Sequence, residues 1–300
     1  MIYTLTLNPA LDYVLRLPTL REGATNRAES AALRFGGKGI NVSCILRELG
    51  METRALGFAA GFTGEALEAE LTQRGIPTSF IHLSEGLTRI NVKVSTQASE
   101  TEINGVGPVI PPEAIASLYE QLDSLTHEDT LVLAGSIPPS LPSDLYGCMG
   151  KKMAERGIRF VVDAEGNALA AALPYRPFLV KPNRAELEAL MGHPLPTEES
   201  LRAAALSLQQ AGAVNILVSL GDDGAMLLDE YGNFHQSTAP QIHLVSAVGA
   251  GDSMVAGFLA GCAGSPHDYE RALRFGIAAG SATAASDGLA NRAAIARLME

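Results

Sequence analysis

Leu244-Val-Ser-Ala-Val-Gly-Ala-Gly-Asp-Ser-Met-Val-Ala-Gly-Phe258 carries a single charge, Asp252. From Tyr231 to His267 no other Asp, Glu, Lys or Arg occurs. A lone carboxylate in so apolar a segment is costly to bury unless it is paired or hydrogen-bonded. Gly249, Ala250 and Gly251 stand directly before it, and Met254, Val255, Phe258, Leu259 and Cys262 follow at helical spacing. The pattern predicts a small-residue loop opening a buried helix, with Asp252 in the first turn. Such a terminus offers free backbone N–H groups and the positive end of a dipole, which suits a phosphate. A carboxylate beside it is placed to take a proton from an attacking hydroxyl. Two plainer readings compete. One makes Asp252 only a helix N-cap. The other makes Leu244 to Ala263 a membrane span, being long enough for one. Four glycines and a mid-span charge weigh against the span.

A second glycine cluster, Gly36-Gly-Lys-Gly-Ile-Asn-Val42, also precedes a helical pattern, which runs through Ile45, Leu46 and Leu49 to Gly50. It is not a Walker A loop, because Gly39 follows Lys38 and position 32 is Ala32. Neither cluster completes a Rossmann fingerprint: Gly37-x-Gly39 leads to Val42, and Gly249-x-Gly251 to Met254. That weakens a nicotinamide oxidoreductase. Three glycines around one lysine still suit close backbone approach to a ligand.

Between and beyond these clusters, strands and helices alternate. Strands are expected at Ile2 to Leu7, Arg54 to Ala59, Thr130 to Ala134, Ile158 to Val162, Phe178 to Lys181 and Asn215 to Leu220. Helices are expected at Gly64 to Arg74, Pro111 to Leu125, Pro142 to Arg156, Glu199 to Gln210 and Tyr269 to Ala285. Ala225 to Leu228 and Asn233 to Gln236 read as a hairpin. Alternation of this kind implies a doubly wound α/β fold, with a mainly parallel sheet covered by helices on both faces. Ligands then bind at the carboxyl ends of the strands. Asp12, Lys38, Ser136, Lys181, Asn183, Gly221 and Asp252 all fall there, which points to one site. A further set of strands, drawn from about 12–35 and 88–105, lacks intervening helices and predicts a small separate β-sheet. In it Arg89, Asn91 and Lys93 share a face, either a solvated one or an anion-binding wall. The whole chain, 1–300, reads as one domain.

Composition limits the partners. The net charge of −11 argues against nucleic-acid binding, which needs a basic surface. Anionic substrates must then be met by local basic clusters. Cys44, Cys148 and Cys262 show no metal-ligand spacing and read as small apolar core residues, in keeping with a reducing cytoplasm. The N-terminus reads directly as a strand rather than a signal peptide.

These motifs together resemble the PfkB (ribokinase-like) carbohydrate kinases along nearly the whole chain. Val248-Gly-Ala-Gly-Asp252 and Gly36-Gly-Lys-Gly-Ile-Asn-Val42 are similar to the family's two signatures, and Asn183-Arg-Ala-Glu186 to its Asn-x-x-Glu motif. Asn8-Pro-Ala-Leu-Asp12, Thr88-Arg-Ile-Asn-Val-Lys93 and Thr101-Glu-Ile-Asn-Gly105 are similar to the sugar-phosphate kinases within it. The resemblance implies ATP-dependent phosphorylation of a ketohexose phosphate: fructose 1-phosphate at its C6 hydroxyl, with tagatose 6-phosphate and fructose 6-phosphate as alternatives. It implies Asp252 as base, with Gly249, Ala250 and Gly251 donating N–H groups to the transferring phosphoryl. It implies Asp12, Gly37, Asn41 and Ser136 at the sugar, and Arg27, Lys38 and Arg89 at the sugar's own phosphate. Lys181, Asn183, Ser219, Gly221, Gly224 and Gly251 fall to the nucleotide. Asn183 and Glu186 would hold Mg2+, largely through water. A monovalent cation is a further family cofactor, near Ser246, where many members carry Asp or Asn. The small sheet would be a lid over the sugar and a homodimer interface. A non-catalytic sugar-phosphate sensor on the same fold is the competing reading, weakened by the retained Asp252.

Overall fold

The computed structural model describes residues 1–299. Its strands are β1 (Ile2–Thr6), β2 (Ala10–Arg16), β3 (Ser30–Gly36), β4 (Thr53–Ala60), β5 (Thr78–Leu83), β6 (Arg89–Ser95) and β7 (Glu100–Ile103). They continue with β8 (Thr130–Ala134), β9 (Arg159–Asp163), β10 (Leu179–Val180), β11 (Asn215–Ser219), β12 (Ala225–Leu228) and β13 (Phe234–Ser237). The helices are α1 (Lys38–Glu48), α2 (Gly61–Gln73), α3 (Pro112–Asp123), α4 (Leu145–Glu155) and α5 (Gly166–Ala172). After them come α6 (Arg184–Met191), α7 (Glu198–Gln210), α8 (Ala250–Gly264), α9 (Tyr269–Ala284) and α10 (Arg292–Arg297).

Nine strands form the main sheet in the order β13-β12-β11-β10-β9-β8-β1-β4-β5. The run from β11 to β5 is parallel, and the β12–β13 hairpin adds an antiparallel edge. Successive side chains of a strand point to opposite faces, and here both faces are buried. Leu131, Leu133, Phe160, Val162, Ile216 and Val218 join one core with Leu118, Met149, Leu187 and Leu208 of α3, α4, α6 and α7. Val132, Val161 and Leu217 join the other with Ile45, Val255, Phe258 and Ile277 of α1, α8 and α9. No helix among the described residues is long and apolar enough to cross a membrane, so the span reading of the opening stretch fails.

The small sheet has the order β3-β2-β6-β7. Its register places Asp12 beside Arg34 and Asn91, and Lys93 beside Glu102, on one face. Tyr13, Leu33, Val92 and Ile103 lie in one row on the other. The charged face is the covered one: Asn91 is buried, while Tyr13, Leu33 and Ile103 are exposed. The Arg89-Asn91-Lys93 face is therefore turned inward, toward charged partners rather than solvent. Arg34 reaches across to Asp287, in the loop after α9.

Two expectations need correction. Cys148 is exposed and not a core residue, since it lies on the outward side of α4; Cys44 and Cys262 are buried. The first-turn carboxylate of α8 is not a helix cap, because Gly249 holds that position with φ 80° and no side-chain cap bond is made.

Helix α8 is fixed against α9 by backbone contact. A Cβ on Gly257 would lie 2.4 Å from the Phe275 carbonyl oxygen, and one on Gly261 2.6 Å from the Ala272 Cα. Replacing a mid-helix glycine with alanine ordinarily stabilises by about 1 kcal/mol through helix propensity. Here overpacking costs about 1–3 kcal/mol and wins. Gly257→Ala should thus lower the urea midpoint and Tm. A raised midpoint would show that the two helices are not in close contact.

Candidate functional site

The carboxyl edge of the parallel strands collects the motif residues. Gly37 has φ 136°, and a Cβ there would fall 2.6 Å from Thr6 Cγ2. Only glycine fits, and the turn it makes starts α1 close to the end of β1. Asn41, one turn into α1, donates from Nδ2 to Asp252 Oδ2 at 2.8 Å. Asp252 is 6% exposed, and the bond to Asn41 is the hydrogen bond its carboxylate accepts. Burial pushes its pKa up to about 6, and the nearby Asp163 carboxylate adds to the rise. The Asn41 bond and the Lys38 and Lys181 charges work the other way.

At the N-terminus of α8, the Ala250 N–H is turned to the Ala247 carbonyl at 3.2 Å. Of the expected donors Ala250 is thus engaged, while no backbone partner takes up the N–H groups of Gly249, Gly251 and Asp252 among the described residues. Ser253 and Thr283 share a buried 2.8 Å hydrogen bond behind this turn, and the Ala290 N–H donates to Thr283. Ser246, upstream, donates its N–H to the Ala284 carbonyl and accepts from the Val248 N–H.

Lys38 and Lys181 converge on a residue that motif reading misses. Asp163, the last residue of β9, has its Oδ1 3.5 Å from Lys38 Nζ and 3.4 Å from Lys181 Nζ. Burial works to lower the Lys38 pKa, but Asp163, then Asp252, Glu186 and Glu165, outweigh it and raise it. Lys181 Nζ also lies 3.1 Å from where a Cβ on Gly251 would sit. Ser136 follows β8 and lines a cleft with Lys38, Gly135 and Glu165.

Asn183 and Glu186 have a structural use of their own. Asn183 caps α6, its Oδ1 accepting from the Glu186 N–H, while Glu186 Oε2 accepts from the Asn183 N–H. This is a capping box. It leaves Glu186 Oε1 uncommitted. No cluster of three or more His, Cys, Asp or Glu residues converges on a point among the described residues. One uncommitted carboxylate oxygen beside a helix cap suits a hydrated ion better than direct ligation. Ser219 ends β11 and bridges to Asn183. Gly221 and Gly224, at φ 62° and 88°, shape the turn that follows.

On the small sheet, Asp12 accepts from Asn91 at 2.8 Å and pairs with Lys93 at 3.2 Å. Arg89, at the start of β6, has a buried Nε with no hydrogen-bond partner. Burial lowers its pKa, and Asp12 offsets this only in part. Lys38 and Arg89 thus keep different company, Lys38 among carboxylates and Arg89 without an ion pair among the described residues. Arg27 lies on the exposed loop between β2 and β3, and no hydrogen bond or ion pair ties it to the others among the described residues.

A family model described as "pfkB family carbohydrate kinase" matches residues 3–295. A 1-phosphofructokinase of Bacillus subtilis is 41% identical over 299 residues, covering 100% of this chain and 97% of that protein. A D-tagatose-1-phosphate kinase of Bacillus licheniformis is 34% identical, covering 96% and 94%. The crystal structure of phosphofructokinase-2 from Escherichia coli in complex with substrates and products superimposes with a TM-score of 0.93 at 33% identity, covering 99% of this chain and 98% of that one. The chain belongs to the pfkB family of carbohydrate kinases, ATP-dependent enzymes that phosphorylate sugars.

Proposed function

We propose that this kinase transfers the γ-phosphoryl of ATP to the C6 hydroxyl of fructose 1-phosphate. The observation that supports the reading most is the state of two groups, Asp252 and Arg89. Asp252 is a buried carboxylate of raised pKa at a helix N-terminus. Arg89 is a guanidinium whose buried Nε has no hydrogen-bond partner and whose charge Asp12 offsets only in part. The first suits a hydroxyl that must lose its proton; the second suits a phosphate that arrives with the sugar.

In this reading Asp252 accepts the hydroxyl proton on its free oxygen while Asn41 holds the other. The Gly251 and Asp252 N–H groups receive the transferring phosphoryl at the positive end of α8, and Lys181 neutralises charge beside them. Positioning and charge neutralisation are what phosphoryl transfer mainly asks of a protein. Asn183 and Glu186 would hold Mg2+ through water, and the uncommitted Glu186 Oε1 fits that role. The ion would supply further neutralisation of the nucleotide phosphates. Ser219, Gly221 and Gly224 would line the nucleotide side. Asp12 and Ser136 would meet sugar hydroxyls, and Arg27 and Arg89 the sugar's phosphate. Lys38, ringed by carboxylates, fits the transferring phosphoryl better than the sugar's own. The relative that acts on tagatose 1-phosphate favours a second reading, with that epimer as acceptor. Comparing kcat/KM for fructose 1-phosphate, tagatose 1-phosphate and fructose 6-phosphate decides between them.

The exposed row of Tyr13, Leu33 and Ile103 supports a homodimer through the lid. Leu33→Glu should shift sedimentation toward the monomer. An unchanged dimer would place the interface elsewhere, and a wild-type monomer would remove it.

Asp252→Asn should cost about 10²–10⁴-fold in kcat, the usual worth of a general base. In the wild type, kcat/KM should fall as pH drops through about 6, where Asp252 takes up its proton. An acid limb near 4, or a variant keeping a tenth of wild-type kcat, would remove Asp252 as base.

Arg89→Ala should lower kcat/KM for fructose 1-phosphate by about 10- to 150-fold, since a charge-assisted contact is worth about 1.5–3 kcal/mol. The rate on free fructose should hardly change. Equal losses on both sugars would show that Arg89 shapes the site without reading the phosphate.

A further inference from the structure

Asp163 is 1% exposed and belongs to none of the motifs described above. One of its oxygens meets two ammoniums; the other, Oδ2, is buried with no partner. A buried carboxylate with an orphaned oxygen is a poor device for stability, because apolar side chains of similar volume often serve as well or better. Its effect is to draw together side chains from two segments. Lys38 comes from α1, and Lys181 from the chain just after β10. Both are thereby held near the first turn of α8, Lys181 directly against Gly251.

We propose that Asp163 is a positioning residue for phosphoryl transfer, holding the Lys38 and Lys181 ammoniums where both meet the phosphates at the N-terminus of α8. The inference rests on the reading of Asp252 as base and of this terminus as the phosphate site. It has a second consequence. The charged groups facing Asp252 are Asp163 from β9, Lys38 from α1 and Lys181 after β10, with the neutral Asn41 donating from α1. Asp163 is the one of these whose charge opposes ionisation of the base, and it also occupies the two lysines that favour it.

Asp163→Asn removes the charge with little change of shape. Its kcat should fall about 10- to 100-fold, the size typical of residues that orient a site's primary groups. The acid limb of kcat/KM should move down by about half a unit or more, since an opposing charge is gone and two lysines are released toward Asp252. A packing role would lower Tm and leave the limb where it was. A folded Asp163→Asn with an unmoved acid limb overturns the proposal. Asp163→Glu carries the test if the first variant does not fold: the charge stays and the oxygen is displaced. There kcat should fall with the limb in place, and wild-type kcat overturns the proposal. Asp252→Asn assayed in parallel separates the failures. Lost turnover at position 252 with no effect at position 163 rejects this inference alone; retained turnover at position 252 rejects the reading beneath it.

Discussion

The hydrogen bond from Asn41 to Asp252 joins residues 211 positions apart in the chain. Asn41 sits in the first turns of α1, which the Gly37 turn starts at the end of β1. Asp252 sits in the first turn of α8. Both helices cover the same face of the sheet, so their N-termini meet at its carboxyl edge. A buried carboxylate needs a donor, and the chain supplies it from the other end of the sequence. The small residues of α8 follow from the same constraint. Gly257 and Gly261 let its backbone lie against α9, which fixes where the first turn points.

The acidic composition makes this arrangement informative. With a net charge of −11, the surface as a whole repels anions. Cationic groups are concentrated instead at the cleft, where Lys38 and Lys181 are each shared with a carboxylate. Arg89 is the exception, with a buried nitrogen left unmatched. Sharing holds the two lysines in place, while the Arg89 guanidinium keeps one buried donor free.

Much of this was legible in the sequence, for stated reasons. Period-2 and helical spacing located the parallel strands and most helices, and glycine clusters before apolar runs marked both helix termini at the site. The family resemblance supplied the motif residues. What escaped was of three kinds. Short elements such as α5 and α10 carry little periodicity. Asp163 gave no signal, because the strand reading stopped at Val162 and its partners lie 125 and 18 positions away. The direction a face points was also open: alternation showed that Arg89, Asn91 and Lys93 share a face, but not that it turns inward. The Asn183-to-Glu186 spacing matched two physical uses at once. It is a helix capping box as well as a family motif, and spacing alone does not separate them.

The small sheet is one layer thick, and its two faces answer to different partners. Asp12 and Tyr13 are neighbours on β2, as are Ile90 and Arg89 on β6, yet they point to opposite sides. A strand cannot shift to improve its fit on one side without carrying its other side along. A ligand on the charged face and a surface against the apolar face would therefore be thermodynamically linked. If a bound sugar tightens association, association must tighten sugar binding by the same factor. Under that coupling, apparent affinity would depend on protein concentration, and a saturation curve would report the abundance of the chain.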